Sequence, residues 1–240
     1  MILVITATIN PPIQDYLKIN SIDERIRQYK ESLNYFINSG AFGRIIFCDN
    51  SGYLSENDIF REETEIAGKK NIELEVLSFS GNSEKVRQQG KGYGEGEIME
   101  YIFANSKLMH NEPYFFKVTG RLKVDNVADI VRNTNNKDVC LINIPNRTRH
   151  DIYDTRFYGM PVNMYREYFL KAYENTDDKN KKYLETIFKE VIDTNHLKHR
   201  NLPKYPRITG VSGTFGSTYS YKEWKTKIKD LLSIFNYYGK

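Results

Sequence analysis

The sequence predicts an α/β protein, a single domain built on a mixed, mostly parallel sheet flanked by helices. Three observations carry this prediction. The opening run Ile2-Leu3-Val4-Ile5-Thr6-Ala7-Thr8-Ile9 is apolar and β-branched without polar alternation, as a strand covered on both faces is. A helical pattern follows it, and then a second apolar run at Arg44-Ile45-Ile46-Phe47-Cys48, which together make a strand–helix–strand unit. The chain of 240 residues, 40% hydrophobic and 28% charged, is long enough to bury a core without covalent staples.

The elements follow in order. Pro11-Pro12 ends the first strand, since proline cannot continue a ladder. From Ile22 to Ile37 the residues Ile22, Ile26, Tyr29, Leu33, Phe36 and Ile37 recur at helical spacing, and Asn38-Ser39-Gly40 closes the pattern. The second strand runs into Asp49-Asn50-Ser51-Gly52, and Ile72–Leu77 reads as a third. Gly90-Lys91-Gly92-Tyr93-Gly94-Glu95-Gly96 reads as a tight turn leading into a helix over Glu97–Met109. Tyr114–Thr119 and Asp138–Ile144 are further strands, and Tyr183–Asp193 carries a helical apolar stripe. The polar stretches 133–137 and 175–182 are too short for linkers and read as surface loops.

Composition narrows the function. Thirty-five Lys and Arg against 31 Asp and Glu give a net charge of +4 with both signs scattered, unlike the dense basic stripe of a nucleic-acid binder. Two cysteines, Cys48 and Cys140, lie inside apolar runs and read as buried free thiols in a reducing compartment. No signal-peptide pattern opens the chain, and no 18-residue apolar run suits a bilayer span. Eighteen tyrosines fit a wet, sugar-facing cleft and fit a tyrosine-rich core as well.

Several motifs could carry chemistry. Asp49 and Asn50, at a strand's end, either accept hydrogen bonds from a ligand or close a turn; the sequence leaves both open. The alternating glycines match neither the P-loop nor the dinucleotide fingerprint, which counts against a nucleoside triphosphatase and a dinucleotide enzyme. Lys117-Val118-Thr119-Gly120-Arg121 interrupts a buried strand with two cations, which suits a phosphate or, alternatively, surface carboxylates. His196 and His199 sit in basic surroundings that oppose a divalent metal, and no serine has a nucleophile-elbow context.

The order of these pieces resembles the GT-A nucleotide-sugar glycosyltransferases of bacterial surface-polysaccharide synthesis, of the capsule and lipopolysaccharide kind. The first strand and helix, then Arg44–Gly52, are similar to the opening of that fold, whose second strand ends in a nucleotide-holding acidic turn. Gly81-Asn82, the Gly-rich run and the helix behind it resemble the next segment, and Tyr114–Arg121 falls where the family sets its metal-binding D-x-D strand. The likeness covers about residues 1–125, the nucleotide-sugar part, with 126–220 as the acceptor side and 221–240 as a terminal amphipathic helix. It implies that Thr6, Thr8, Asp49, Asn50, Gly92, Gly94, Glu95, Lys117, Thr119 and Arg121 contact substrate.

The sequence departs from the pattern where Lys117, Thr119 and Arg121 replace the aspartates. The departure implies a metal-independent enzyme without cofactor, in which Lys117 and Arg121 stabilise the departing diphosphate; Mg²⁺ or Mn²⁺ is the alternative. Glu185 leads as general base, with Asp151 and Asp154 behind it, although a solvated helix carboxylate would give the same pattern at Glu185. The expected partners are a nucleotide sugar and a glycan or lipid-linked acceptor, in the cytoplasm or at its membrane face. Trp224, Ile228, Leu231, Leu232 and Phe235 with Lys222, Lys225, Lys227 and Lys229 make a basic amphipathic helix that either meets anionic lipid or docks its apolar side on the protein's own core. A sugar nucleotidyltransferase and a non-catalytic nucleotide- or glycan-binding module are the rival functions.

Overall fold

The structure is a computed structural model that describes residues 1–11, 21–55, 57–143, 152–211 and 218–234. Strand β1 (Ile2–Ala7) is buried at every residue, and α1 (Ile22–Asn38) follows, its N-cap Ser21 accepting from the Glu24 amide. Then come β2 (Arg44–Asp49), α2 (Arg61–Lys69), β3 (Glu73–Ser78), α3 (Ser83–Gln89), α4 (Lys91–Asn105), β4 (Tyr114–Thr119), β5 (Leu122–Val124) and α5 (Val127–Arg132). The second half adds β6 (Cys140–Leu141), β7 (Phe157–Pro161), a short α6 (Val162–Met164), α7 (Leu184–Thr194), β8 (His199–Arg200), β9 (Ile208–Val211), β10 (Thr218–Tyr219) and α8 (Glu223–Ile234).

Seven strands form one sheet in the order β3-β2-β1-β4-β7-β6-β8, and β10-β9-β5 form a small second one. In the large sheet only β7 runs against the rest, pairing antiparallel with β4 and β6. The strand pleat sorts side chains into two cores. Leu3, Ile5 and Ala7 of β1 join Tyr29, Leu33 and Phe36 of α1 on one face, while Ile2 and Val4 join Ile98, Met99 and Ile102 of α4 on the other. Both faces of the central strands are covered, which explains their unbroken apolar runs. Cys48 and Cys140 are free and fully buried, and burial pushes both thiols up.

Two expectations need correction. The glycine run is not a turn before a helix: α4 begins at Lys91, so Gly92, Gly94 and Gly96 lie within it and are buried. A Cβ on Gly96 would come 2.1 Å from Cβ of Tyr173, so packing that tolerates only hydrogen overrides the poor helix propensity of glycine. Gly90, at φ +101°, is the break that separates α3 from α4. The strand expected over 138–144 shrinks to Cys140–Leu141, held between β7 and β8.

Candidate active site

From β1 the chain steps outward to β2 and β3, then returns to the opposite side of β1 with β4. Connections therefore leave β1 and β4 in opposite directions, and the crevice this opens at the strands' carboxyl ends is where open α/β sheets bind ligands. A cavity of about 510 Å³ lies there. Thr6 and Thr8 from the end of β1, Asn50 after β2, and Thr119 and Arg121 from the end of β4 line it. Gly92, Gly94 and Glu95 of α4 form another wall, and Glu185, in the first turn of α7, also faces it.

The loop after β2 is built around Asp49, which does not line the cavity. Its carboxylate accepts from Ile9 N (2.8 Å), Ser51 Oγ (2.8 and 2.9 Å), Tyr53 N (3.2 Å) and Ser78 Oγ (3.2 Å). Burial pushes its affinity for a proton up against those bonds. Of the two readings open for Asp49, the turn is the one observed: the residue fixes the loop, and its lone pairs are spent. Asn50 next to it does reach the cavity, accepting from Thr8 Oγ1 at 2.6 Å and donating to Gly94 O at 3.3 Å, so three predicted residues meet in one network.

Guanidinium groups dominate the charge. Arg25 of α1 is buried and donates through Nε to Thr8 O at 2.9 Å, and Arg121 donates to Gln28 Oε1 at 3.2 Å. Their guanidinium carbons lie 6.0 and 5.9 Å from the centroid of the Tyr29 ring. Burial, reinforced by the neighbouring charge of Arg25 and opposed by Tyr29 and Glu24, pulls the Arg121 proton affinity down, yet a guanidinium stays charged. Arg121 makes no ion pair among the described residues. Lys91 and Arg156 also line the cavity, so four cations face two carboxylates, Glu95 and Glu185.

Lys117 behaves otherwise than expected. It is fully buried and does not line the cavity; Nζ donates to Glu95, to Thr119 Oγ1 (3.0 Å) and to Thr155 O (3.0 Å). With three donors engaged, the ammonium has none left for a diphosphate. The family pattern sets a divalent cation between two carboxylates at this level, and the residues present here do not fit one. An ammonium already neutralises Glu95, Thr119 offers only a hydroxyl, and among the described residues no three His, Cys, Asp or Glu gather as ligands.

The carboxylates separate cleanly. Asp154 does not line the cavity: Arg156 clamps it with Nε at 2.8 Å and Nη2 at 2.6 Å, which leaves it a support for that guanidinium. Asp151 lies outside the described residues. Glu185 is half-buried and makes no ion pair with Lys182 or Lys189, which hold Glu190 and Asp193 instead. Burial pushes its proton affinity up, with Glu95 and Asp154 adding to the shift and its own backbone N–H and Lys91 opposing it. A cavity-facing carboxyl whose proton affinity is raised by burial is a candidate acid or base.

Sequence reasoning missed Arg25, Lys91 and Arg156 as cavity cations. Arg25 carried a signal, since it falls three residues after Ile22 and four before Tyr29, on the apolar stripe of its helix. Lys91 and Arg156 carried none, because a fold was needed to bring residues 91 and 156 together.

A cavity lined by four cations and two carboxylates lies at the switch point of a Rossmann-like α/β sheet, an arrangement suited to an anionic ligand. No protein-family model and no curated protein matches the chain. Among solved structures it is similar to the glycosyltransferase GlyE of Streptococcus pneumoniae TIGR4, at TM-score 0.49 and 8% identity over 83% of this chain and 45% of that one. The apo form of GlyE gives TM-score 0.47 and 7% identity over 82% of this chain and 44% of that one. The chain thus spans less than half the length of these structures.

Proposed function

We propose that this chain is a glycosyltransferase that moves a sugar from a nucleotide-sugar donor to a glycan acceptor in bacterial surface-polysaccharide synthesis, without a divalent metal. One observation carries the reading: the cavity at the switch point sets guanidinium groups and a half-buried carboxyl, Glu185, around the same space. A nucleoside diphosphate needs the first, and activation of an acceptor hydroxyl needs the second. In the reaction, Glu185 takes the hydroxyl proton as the acceptor oxygen bonds to the anomeric carbon. The bond from that carbon to the phosphate oxygen breaks, its electron pair leaves with the diphosphate, and Arg121 and Arg25 face the developing charge.

The α8 helix supports an acceptor at a lipid surface. Thr226 on one side is buried and Asp230 accepts from Tyr205 N at 2.9 Å, whereas Trp224, Ile228 and Leu231 on the other side are 60%, 50% and 61% exposed. Among the described residues the helix thus docks by its polar side, which speaks against the alternative in which its apolar side covers the protein's own core. Lysines 222, 225, 227 and 229 add positive charge to this segment, with Lys229 packed over the Tyr205 ring on the docked side. The side chain of Leu232, and Phe235, lie outside the described residues. No described helix is long and apolar enough to cross a membrane.

The deciding experiment is a thermal-shift screen over nucleoside diphosphates and nucleotide sugars, followed by product analysis. A ligand at a hundred times its Kd adds about 2.7 kcal/mol of stability. Release of nucleoside diphosphate on transfer supports the reading; release of pyrophosphate makes the chain a nucleotidyltransferase, and binding without turnover makes it a binding module.

A further inference from the structure

A fully buried ammonium is an expense that a hydrophobic residue of similar volume would avoid, so Lys117 calls for an explanation beyond stability. Its place follows from the pleat of β4. Tyr114, Phe116 and Val118 enter the core beside α1, which turns Phe115, Lys117 and Thr119 toward the α4 side. On α4, Glu95 lies three and seven residues before Ile98 and Ile102, on the helix's inward stripe. A cation on the pleat and a carboxylate on the stripe meet where either alone would be out of place.

The pair is asymmetric. Lys117 has no contact with the cavity and every donor engaged, whereas Glu95 lines the cavity with its side chain 22% exposed. Only Oε1 of Glu95 accepts from Lys117; Oε2 takes no hydrogen bond among the described residues. Thr119 Oγ1 and Thr155 O hold the ammonium from two further directions, so Lys117 fixes the carboxylate in place as well as in charge.

We propose that Glu95 is a substrate-contacting residue whose second oxygen, the one not engaged by Lys117, accepts hydrogen bonds from hydroxyl groups of the donor sugar, and that Lys117 is the positioning residue that holds this carboxylate in place. This rests on the glycosyltransferase reading above. An ionised carboxylate accepts and cannot donate, so it selects hydroxyl donors and rejects a sugar carboxylate or phosphate placed at the same point. It also divides labour between the two cavity carboxylates: Glu95 is paired with a buried cation, whereas Glu185 has no ion-pair partner among the described residues and burial raises its proton affinity.

The test compares Kd for UDP, GDP and dTDP with Kd for UDP-glucose, GDP-mannose and dTDP-rhamnose, in wild type, Glu95→Gln, Lys117→Met and the double variant. The expected result is that Glu95→Gln leaves diphosphate affinity within twofold while weakening the sugar conjugate at least tenfold, so the ratio of the two constants moves. The double variant replaces the ion pair by neutral groups and serves if Lys117→Met fails to fold. It should melt near wild type and still show the shifted ratio. In a folded Lys117→Met, the sugar conjugate should bind more weakly while diphosphate affinity stays within twofold, as the carboxylate of Glu95 loses the contact that holds it. An unchanged ratio in Glu95→Gln, or a wild-type ratio restored in the double variant, overturns the inference and leaves the pair structural. Wild type that binds none of the probes overturns the glycosyltransferase reading itself, and this inference with it.

Discussion

Under the proposed reading Glu185 is the general base, and it is the cavity carboxylate without an ion-pair partner among the described residues. Burial raises its proton affinity, so the basic form fills in at higher pH than for a free glutamate. With Glu185 as base, kcat/KM should rise with pH through that displaced ionisation and level off above it. Glu185→Gln should lose this limb and at least about 10²-fold in kcat, with diphosphate affinity retained. Steady-state kinetics across pH on both proteins checks this, and near-wild-type turnover would shift the role to another group. At this scale the sequence was partly legible. Charged residues on apolar stripes, such as Arg25 and Glu95, are visible in one dimension as misfits. The neutralisation of Lys117 was not, since it depends on Glu95 lying 22 residues away on a different element.

Among the elements, α4 shows why a pattern can mislead. Three glycines in its first half would each cost about 1 kcal/mol against alanine in a free helix, so local propensity argued for a turn. The neighbours decide otherwise: Tyr173 occupies the space where a side chain on Gly96 would stand. Gly96→Ala should therefore lower stability by about 1–3 kcal/mol despite the better helix former, read by denaturant unfolding. The terminal helix gives a second outcome. If α8 meets anionic lipid, each lysine near the surface contributes about 1 kcal/mol, and the protein should co-sediment with phosphatidylglycerol vesicles at low salt. The variant Trp224→Ser/Ile228→Ser/Leu231→Ser, altered only at exposed positions, should stay in the supernatant with an unchanged melting temperature. Equal pelleting of both proteins, or of neither, would count against lipid contact. The strands were the most legible elements, because Tyr114–Thr119 and Ile2–Ala7 are buried on both faces and announce it by unbroken apolar runs. The antiparallel β7 was hidden, since Gly159 and Pro161 break any strand pattern in a segment only five residues long.

For the molecule as a whole, the arrangement of the sheet decides where function can sit. The order around β1 opens one crevice, and loops from residues as far apart as Thr6, Asn50, Arg121 and Glu185 converge there. A reader of the sequence could place the strands but not this convergence beyond β4, because the second half enters the sheet out of chain order, with β7 beside β4 and β6 outside it. With guanidinium groups facing the cavity where carboxylates would hold a metal, turnover should survive EDTA. Loss of activity with chelator and its return with Mn²⁺ would overturn that arrangement of charge. The two cysteines have a practical corollary. Both are sealed in the core with raised thiol pKa, so neither is poised to react with a maleimide while the protein is folded. Gly43 is exposed on the turn entering β2, at the sheet edge opposite the cavity, and a Cβ there meets nothing within 4 Å. Gly43→Cys should accept a single fluorophore, counted by intact-mass spectrometry, without removal of either native thiol. The folded interior then serves as its own protecting group, and the protein can be followed by fluorescence while its cavity stays unmodified.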